Sequence, residues 1–152
     1  MGLFYGTHIN RLDAKGRVSI PAPFRGALRH PDDAIRLILR PSHQEAAVEG
    51  WTIAAFDALA APVQELPTFS AEHNDFLYAL YPDVVRMETD REGRIVLPAE
   101  LIAFAGLGGE VAFAGLGGRF ELWEPAALTR RRDKARAAMD GRSLPRAGVA
   151  HP

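Results

Sequence analysis

The chain contains no cysteine, which excludes disulfide bridges and thiolate chemistry. Apolar residues make up 47% of the sequence, yet no run approaches the ~20 residues that a membrane-spanning helix needs. The formal charge is only −1, so the whole chain offers no general attraction to nucleic acid. A site for a polyanion must therefore come from local clusters of basic residues. We expect a globular, cytoplasmic protein with no membrane association, and 152 residues are enough to bury a sizeable core.

The sequence also lacks an evident catalytic or metal-ligating set. Its five histidines are scattered, and no two lie at the spacing of metal ligands. The heptad Ala-Phe-Ala-Gly-Leu-Gly-Gly occurs at 103–109 and again at 112–118, but no Lys-Ser or Lys-Thr follows to complete a phosphate loop. We expect Gly106 to end a helix and Gly117-Gly118 to turn a hairpin. The sequence thus predicts no enzyme activity, no metal or other cofactor, and no small-molecule substrate.

What the sequence does contain is an internal repeat. Residues 13–25 read Asp-Ala-Lys-Gly-Arg-Val-Ser-Ile-Pro-Ala-Pro-Phe-Arg, and residues 90–102 read Asp-Arg-Glu-Gly-Arg-Ile-Val-Leu-Pro-Ala-Glu-Leu-Ile. We call these the first copy and the second copy. Their offset of 77 residues (90 − 13) is about half of the chain, which indicates two versions of one structural unit.

Each copy has a direct physical interpretation. Aspartate, two free positions and glycine suit a type I turn, because the carboxylate bonds back to the chain and glycine tolerates positive φ. The β-branched run that follows predicts a short strand that begins with an arginine, and the proline after it opens a short helix. The expected turn-organising residues are Asp13, Gly16, Asp90 and Gly93.

Two Asp-x-x-x-Arg signatures in register, with matching flanks, resemble the MraZ family of bacterial transcriptional regulators. That family carries one signature in each of two tandem swapped-hairpin, AbrB-like halves. The similarity begins in the stretch 12–21 and extends through 105–107, 110–111 and 119–123, so it covers most of residues 4–128. The resemblance implies an α+β fold of two pseudo-symmetric swapped-hairpin β-barrel halves, with a helical insert and a C-terminal helix.

We expect four segments along the chain. They are a first AbrB-like half at 1–56, an acidic helical insert at 57–82, a second AbrB-like half at 83–128, and a basic helix end with a disordered tail at 129–152. Strands are predicted before the first turn and at 35–39, 47–51, 111–114 and 120–123. Pro125 is expected to begin the last helix, which runs to about Met139.

Two helices are predicted in and next to the insert. Thr52 can cap one that runs to about Leu59 and is ended by Pro62. Ser70 can cap another, which Pro82 stops. In this second helix Phe76, Leu77 and Leu80 are expected on one apolar face. Trp51 and Trp123 occupy matching places in the two halves, which favours a core or interface position over ligand stacking.

The resemblance implies a sequence-specific regulator that binds double-stranded DNA, acting on its own promoter ahead of cell-division and cell-wall genes. It further implies a nucleoid-associated protein whose protomers assemble into ring-like homo-oligomers facing repeated sites. The alternative is a protein-binding module, such as an antitoxin-like partner of another protein. Such modules usually resemble one hairpin unit with a long tail, whereas this chain has two units and a short tail.

The candidate DNA contacts are basic residues at or near the two turns. They are Arg11, Lys15, Arg17, Arg91 and Arg94. A guanidinium can bind phosphate or guanine bidentately, but the alternative for each turn arginine is a surface salt bridge to its neighbouring aspartate. Residues 7–30 carry five basic and one acidic residue (+4), whereas residues 84–107 carry three and four (−1). We therefore expect the first copy to dominate DNA binding.

The last helix carries a basic face of its own. Its members are Arg130, Arg131, Arg132, Lys134 and Arg136. The face is either simply solvated or an aid to DNA binding, and the sequence leaves both possibilities open.

Overall fold

The computed structural model describes residues 3–145, and it contains two antiparallel sheets and five helices in this range. The strands are β1 (Thr7–Arg11), β2 (Arg17–Ser19), β3 (Arg36–Pro41), β4 (Val48–Trp51), β5 (Val85–Glu88), β6 (Arg94–Val96), β7 (Glu110–Gly115) and β8 (Phe120–Trp123). The helices are α1 (Ala22–Leu28), α2 (Ile53–Gln64), α3 (Ala71–Leu80), α4 (Ala99–Ala105) and α5 (Pro125–Ala138). The expected mixed α+β architecture is confirmed. Within the described range, no helix combines the length and apolar character that crossing a membrane requires.

The large sheet has six strands in the order β1-β7-β8-β4-β3-β5. Strand β1 precedes the first copy of the repeat but pairs with β7, which follows the second copy. Strand β5 precedes the second copy but pairs with β3, which follows the first. The strand that precedes each copy thus pairs with a strand that follows the other copy.

The closed β-barrel that we expected is not formed by the described residues. The edge strands β1 and β5 lie at opposite ends of an open sheet. The strands that follow the two turns, β2 and β6, do not join these edges, because they pair with each other in a separate two-stranded sheet. We call this sheet the ribbon.

The ribbon joins the two copies of the repeat. Its register places Arg17 opposite Val96 and Ser19 opposite Arg94. Beyond the strands, the backbone N–H of Ile20 donates to the carbonyl oxygen of Gly93 at 2.9 Å, and that of Leu97 donates to Gly16 at 2.8 Å. Each strand therefore ends against the turn of the other copy, as an approximate two-fold arrangement requires.

The main core lies between one face of the large sheet and the ribbon with α1 and α4. Its largest side chains are phenylalanines, and Phe4 packs against Phe24 and Phe120 with ring centroids 5.2 and 5.0 Å apart. A side chain at Gly50 would collide with the Phe120 ring, so the close approach of β4 to this aromatic cluster needs a glycine. The inward side chains of the ribbon, Val18 and Ile95, belong to the same core as this aromatic cluster.

The opposite face of the large sheet is covered by the remaining helices. Helices α2 and α3 pack on it through Phe56, Val63 and Leu80. Helix α5 packs near β7 and β8, where Leu128 contacts Trp123 and small alanine side chains. The ribbon and α5 therefore lie on opposite faces of the sheet.

The helix starts agree with the sequence, whereas one helix end does not. The hydroxyl oxygens of Thr52 and Ser70 accept hydrogen bonds from the backbone N–H groups of Ala55 and His73, as expected of caps. Pro62 was expected to end α2, but that helix continues to Gln64. A proline inside a helix removes one N–H donor and crowds the carbonyl group four residues earlier, but its fixed φ is helical, so the chain can continue as a helix for the half turn that remains.

The predicted apolar face of α3 is correct only in part. Leu80 is buried and Leu77 packs beside it. Phe76 was placed on the same face, but 47% of its surface is exposed. It lies at the rim of a cleft between α3 and the sheet.

Several smaller predictions can also be compared with the structure. Gly106 ends α4 with φ +62°, and Gly117 turns the β7–β8 hairpin with φ +80°, both as predicted. Pro21 and Pro98 are caps that directly precede α1 and α4 rather than first helical residues. Helix α5 begins at Pro125 and ends at Ala138, one residue before the expected end. The predicted disordered tail falls outside the described residues from position 146 onward.

Candidate nucleic-acid interface

The first turn is organised by the carboxylate of Asp13. Its Oδ1 accepts hydrogen bonds from the backbone N–H groups of Lys15 at 2.9 Å and Arg17 at 2.8 Å. Its Oδ2 accepts from Nε of Arg17 at 2.7 Å, and Gly16 takes φ +81°. The backbone N–H of Arg17 is the main cause that lowers the pKa of Asp13, and partial burial opposes it. One ionised carboxylate thus fixes both the turn and the stem of Arg17.

The second turn repeats this bonding. Oδ1 of Asp90 accepts from the N–H groups of Glu92 at 2.8 Å and Arg94 at 3.0 Å, and Oδ2 accepts from Nε of Arg94 at 2.9 Å. Gly93 takes φ +78°. The pKa of Asp90 is lowered, chiefly by the backbone N–H of Arg94. The bond to Asp90 in turn raises the pKa of Arg94.

The ribbon brings the two turn arginines together on one surface. Side chains alternate between the faces of a strand, and Val18 and Ile95 point into the core with 1% and 2% exposure. Arg17 and Arg94 therefore share the opposite face with their register partners Val96 and Ser19. We call this surface the outer ribbon face. The arginines are diagonal neighbours on this surface, with Cα atoms roughly 7–8 Å apart. Their side chains are 38% and 32% exposed.

The other three candidate residues are placed differently. Lys15 and Arg91 are exposed members of the two turns that flank the outer ribbon face. Arg11 lies on the edge strand β1, opposite Glu110, and is not part of that face. The five candidates therefore do not form a single cluster.

The position of Arg25 was not predicted from the sequence. This residue of α1 donates from Nη1 to the carbonyl oxygen of Ile20 at 2.8 Å, and its side chain lies against the second turn. A Cβ on Gly93 would be 2.8 Å from Cδ of Arg25, whereas the equivalent neighbour of Gly16 is Ile102. The count of +4 for residues 7–30 therefore assigned the charge of Arg25 to the wrong turn. An alignment of the two copies sets Arg25 against Ile102, and this mismatch is the signal in the sequence that could have indicated different surroundings for the two turns.

The two turns differ in their own charges as well as in the side chain that packs against them. Where the first turn has Lys15, the second has Glu92, whose Oε2 lies 3.0 Å from Nη2 of Arg94. Arg94 is thus held by two carboxylates, Asp90 and Glu92. Arg17 forms its ion pair with Asp13. Both turn arginines therefore form the expected surface salt bridge through Nε. In the second turn, a terminal guanidinium nitrogen, Nη2 of Arg94, is paired as well.

The basic residues of α5 are remote from the outer ribbon face, because this helix covers the other side of the large sheet. Arg131 is bonded to Glu45, with Nε 2.8 Å from Oε1.

Residues 3–145 contain no group of three or more histidine, aspartate or glutamate side chains that could hold a metal ion.

Comparison with known proteins places the chain in a family. A family model described as "MraZ protein, putative antitoxin-like" matches residues 83–140. A protein of Gluconacetobacter diazotrophicus named "Transcriptional regulator MraZ" is 53% identical, over 97% of this chain and 95% of that protein. Proteins of the same name from Gluconobacter oxydans and Xanthobacter autotrophicus are 50% and 38% identical, over 90% and 84% of this chain and 85% and 81% of theirs. The resemblance drawn from the repeated motif is confirmed, and the chain belongs to the MraZ family.

Proposed function

We propose that this chain is a sequence-specific transcriptional regulator that reads double-stranded DNA with its outer ribbon face. The observation that carries the proposal is the placement of Arg17 and Arg94 on one exposed surface of a two-stranded ribbon. A ribbon of this kind fits the major groove, where guanidinium groups bind guanine or phosphate bidentately. The relatives are named as transcriptional regulators, which supports the same function.

The fold supports a finer assignment, which we also propose. The pairing of β1 with β7 and of β5 with β3 is what two swapped-hairpin, AbrB-like halves would produce. The chain then divides into halves at 1–56 and 83–128, an acidic insert at 57–82 and a basic end at 129–152. Asp13, Gly16, Asp90 and Gly93 act as turn-organising residues that position the two arginines.

Assembly into a ring-like homo-oligomer is part of the proposal. One arm alone would bind DNA weakly, with a Kd of roughly 10⁻⁴–10⁻⁶ M for contacts of this kind. Several arms on repeated sites would add perhaps 10²–10⁴-fold through effective concentration. Exposed aromatic residues such as Phe69 and Tyr78, at 86% and 79%, provide surfaces that association could cover. The target would be the protein's own promoter ahead of division and cell-wall genes, with the protein cytoplasmic, nucleoid-associated and without enzyme activity.

A second candidate function is favoured by the words "antitoxin-like" in the family description. In that case the chain would be a module that binds another protein. A partner protein that copurifies in stoichiometric amount would support this function.

The proposal is tested by footprinting the DNA upstream of the protein's own gene. We expect protection of repeated sites, and an affinity whose logarithm falls by about 0.9 per neutralised phosphate for each unit of log salt. The double variant Arg17→Ala/Arg94→Ala should lose protection, whereas Arg132→Ala, an exposed control on α5, should keep it. Normal protection by the double variant, or binding that does not change with salt, would refute the proposal. Sedimentation as a monomer would remove the ring.

A further inference from the structure

The outer ribbon face carries one apolar side chain among its four members. These are Arg17 and Ser19 of β2 and Arg94 and Val96 of β6. Val96 is 57% exposed, whereas the other three are only partly exposed. A single exposed valine is ordinary on a protein surface. This one, however, is the most accessible member of the surface that is proposed to read DNA, so it would meet a base edge directly.

The hydrogen bonding of the ribbon places Val96 close to both arginines. The backbone N–H of Leu97 donates to the carbonyl oxygen of the residue opposite it, Gly16, at 2.8 Å. Because bonded and non-bonded pairs alternate along an antiparallel ladder, the next pair, Arg17 and Val96, is of the closer, non-bonded kind, with Cα atoms roughly 4.5 Å apart. Along β6, Val96 is two residues, or roughly 7 Å, from Arg94. The valine therefore has a guanidinium group on either side.

The two copies of the repeat differ at this position. Arg17-Val18-Ser19 aligns with Arg94-Ile95-Val96, so the approximate two-fold arrangement makes the arginines equivalent and sets Val96 against Ser19. Ser19 offers a hydroxyl group that can donate and accept hydrogen bonds, whereas Val96 offers only two methyl groups. The outer ribbon face thus repeats its cations but not the residues beside them. A DNA site that matches this face is consequently not palindromic.

The chemistry of the major groove decides which base suits a valine. Guanine presents two acceptors, which a guanidinium group can bind, and thymine presents the only methyl group among the four bases. Against any other base edge, a valine side chain would cover donors or acceptors without bonding to them, which is costly. Against the thymine methyl group it instead removes apolar surface from water on both partners. An apolar residue between two arginines therefore selects thymine.

We propose that Val96 is a specificity-determining residue that packs against the C5 methyl group of a thymine in each recognised repeat. The inference rests on the proposed binding of DNA by the outer ribbon face, and it adds one base to what that face reads. Two residues of a strand span about two base-pair steps, so the thymine lies within about two steps of the bases that Arg17 and Arg94 contact. Ser19 makes no such methyl contact, and the ribbon is thereby oriented on its site.

The test is a uracil interference assay on the DNA upstream of the protein's own gene. Fragments are amplified so that most carry a single uracil, which replaces the methyl group of one thymine by hydrogen. Fragments bound at subsaturating protein are separated from free ones on a gel, and both fractions are cleaved at uracil. We expect at least one thymine in each protected repeat to be depleted from the bound fraction about fourfold, the effect of one buried methyl group on an affinity.

Variants assign the methyl contact to Val96. Val96→Ala removes both methyl groups of the side chain, so the depletion at these thymines should disappear, and DNA with thymine or uracil there should be bound equally well. Val96→Ile keeps a branched apolar side chain and should keep the depletion. Ile9→Ala is the matched control, because it truncates a β-branched residue of similar exposure, 53%, on β1 and outside the outer ribbon face. It should leave the pattern of interference unchanged.

The outcomes separate this inference from the function on which it rests. A wild-type protein that does not bind the DNA would overturn both. Protected repeats in which no uracil interferes would overturn the role of Val96 and leave the DNA-binding function intact. Depletion that Val96→Ala retains at full strength would show that the methyl group acts through another residue or through the shape of the DNA. Smaller assemblies of Val96→Ala, with equal losses on thymine and uracil DNA, would show that a second copy of the chain covers Val96.

Discussion

The turns at residues 13–17 and 90–94 are bonded alike but lie in different surroundings. In the first turn, Oδ1 of Asp13 lies 2.9 and 2.8 Å from its two backbone nitrogen partners, and Oδ2 lies 2.7 Å from the arginine Nε. In the second turn, the corresponding distances from Asp90 are 2.8, 3.0 and 2.9 Å. The residues that the turn does not constrain differ, since Lys15 stands where the second turn has Glu92. Aspartate and glycine thus fix the shape of the turn, whereas the residue between them can be either basic or acidic.

The pairing of the two copies modifies this comparison. Arg25 belongs to the first copy in sequence, yet its side chain lies against Gly93 in the second turn. The second turn therefore gains a positive charge that its own sequence does not supply. The first turn has Ile102 at the equivalent place. The two turns are thus less unequal in charge than their sequences suggest, but only the second pairs a terminal guanidinium nitrogen with a glutamate.

The largest expected effect comes from removing either turn arginine. Arg17→Ala should abolish specific DNA binding, because each lost bidentate contact weakens binding by roughly 5- to 150-fold and an assembly multiplies that loss. Arg94→Ala should weaken binding less, because Glu92 already holds Nη2 of that arginine. A mobility-shift titration of both variants measures the difference.

Two controls are needed for that titration. Each variant should keep the wild-type melting temperature and assembly size, since exposed substitutions usually change stability by less than about 0.5 kcal/mol. Equal losses for Arg17→Ala and Arg94→Ala would mean that the two turns share the DNA evenly. A folded, assembled Arg17→Ala protein that binds normally would contradict the assignment of the site.

Exchanging the charges at the turn tips should give a smaller effect. Glu92→Lys removes the pair with Nη2 of Arg94 and creates the charge of Lys15 in the second turn, so we expect severalfold tighter binding. The slope of log affinity against log salt should steepen by up to about 0.9 per protomer. Lys15→Glu should do the reverse in the first turn.

The control for this exchange is Glu72→Lys, which makes the same change of charge on α3, where residue 72 is exposed. It should leave DNA binding nearly unchanged. If it tightens binding as much as Glu92→Lys does, the effect comes from net charge and not from the turn.

The turn glycines should differ in stability rather than in DNA binding. Alanine at either position must adopt positive φ, a strain of roughly 1–3 kcal/mol. At Gly16 the new Cβ would also lie 3.0 Å from the backbone oxygen of Leu97, whereas at Gly93 it would meet the flexible side chain of Arg25. We therefore expect Gly16→Ala to lower the free energy of unfolding more than Gly93→Ala, as measured by denaturant titration. A larger loss for Gly93→Ala would show that the Arg25 side chain cannot move aside.

These comparisons also show what could be predicted from the sequence. The turns, the short strands and the capped helices were predictable because their signals are local: aspartate and glycine at fixed spacing, a proline, or a serine cap such as Ser70. The pairing of β2 with β6 was not predictable from such signals, because it joins segments 77 residues apart. For the same reason the sequence placed Arg25 at the wrong turn. Phe76 was placed wrongly because the packing of α3 on the sheet, which is not a local signal, decides which of its side chains are buried. Pro62 was taken as a helix end, although its fixed φ is compatible with a helix.

The smallest expected effect is the response of the two turns to acid, and it should be the same in both. The pKa values of Asp13 and Asp90 are lowered in the folded protein, mainly by backbone N–H groups, from the ordinary value of 3.8. Near and below that value the unfolded chain binds more protons than the folded one, so stability falls as pH falls. The contribution is complete above the unfolded pKa and is lost as pH drops through the folded pKa.

Asp13→Asn and Asp90→Asn should therefore lower the melting temperature at neutral pH by similar amounts, because a neutral amide oxygen accepts the two backbone N–H bonds of the turn more weakly than an ionised carboxylate does. Melting curves taken from about pH 6 to pH 2.5 should approach those of the wild type toward the acid end, as the carboxylates take up protons. Asp57→Asn, at an exposed position on α2 outside both turns, is the matched control and should follow the wild type throughout. A clear difference between the two turn variants would mean that Lys15, Glu92 or Arg25 alters the carboxylate as well as the surface charge. Equal responses would show that the backbone N–H groups, which the turns share, decide the ionisation of the aspartate.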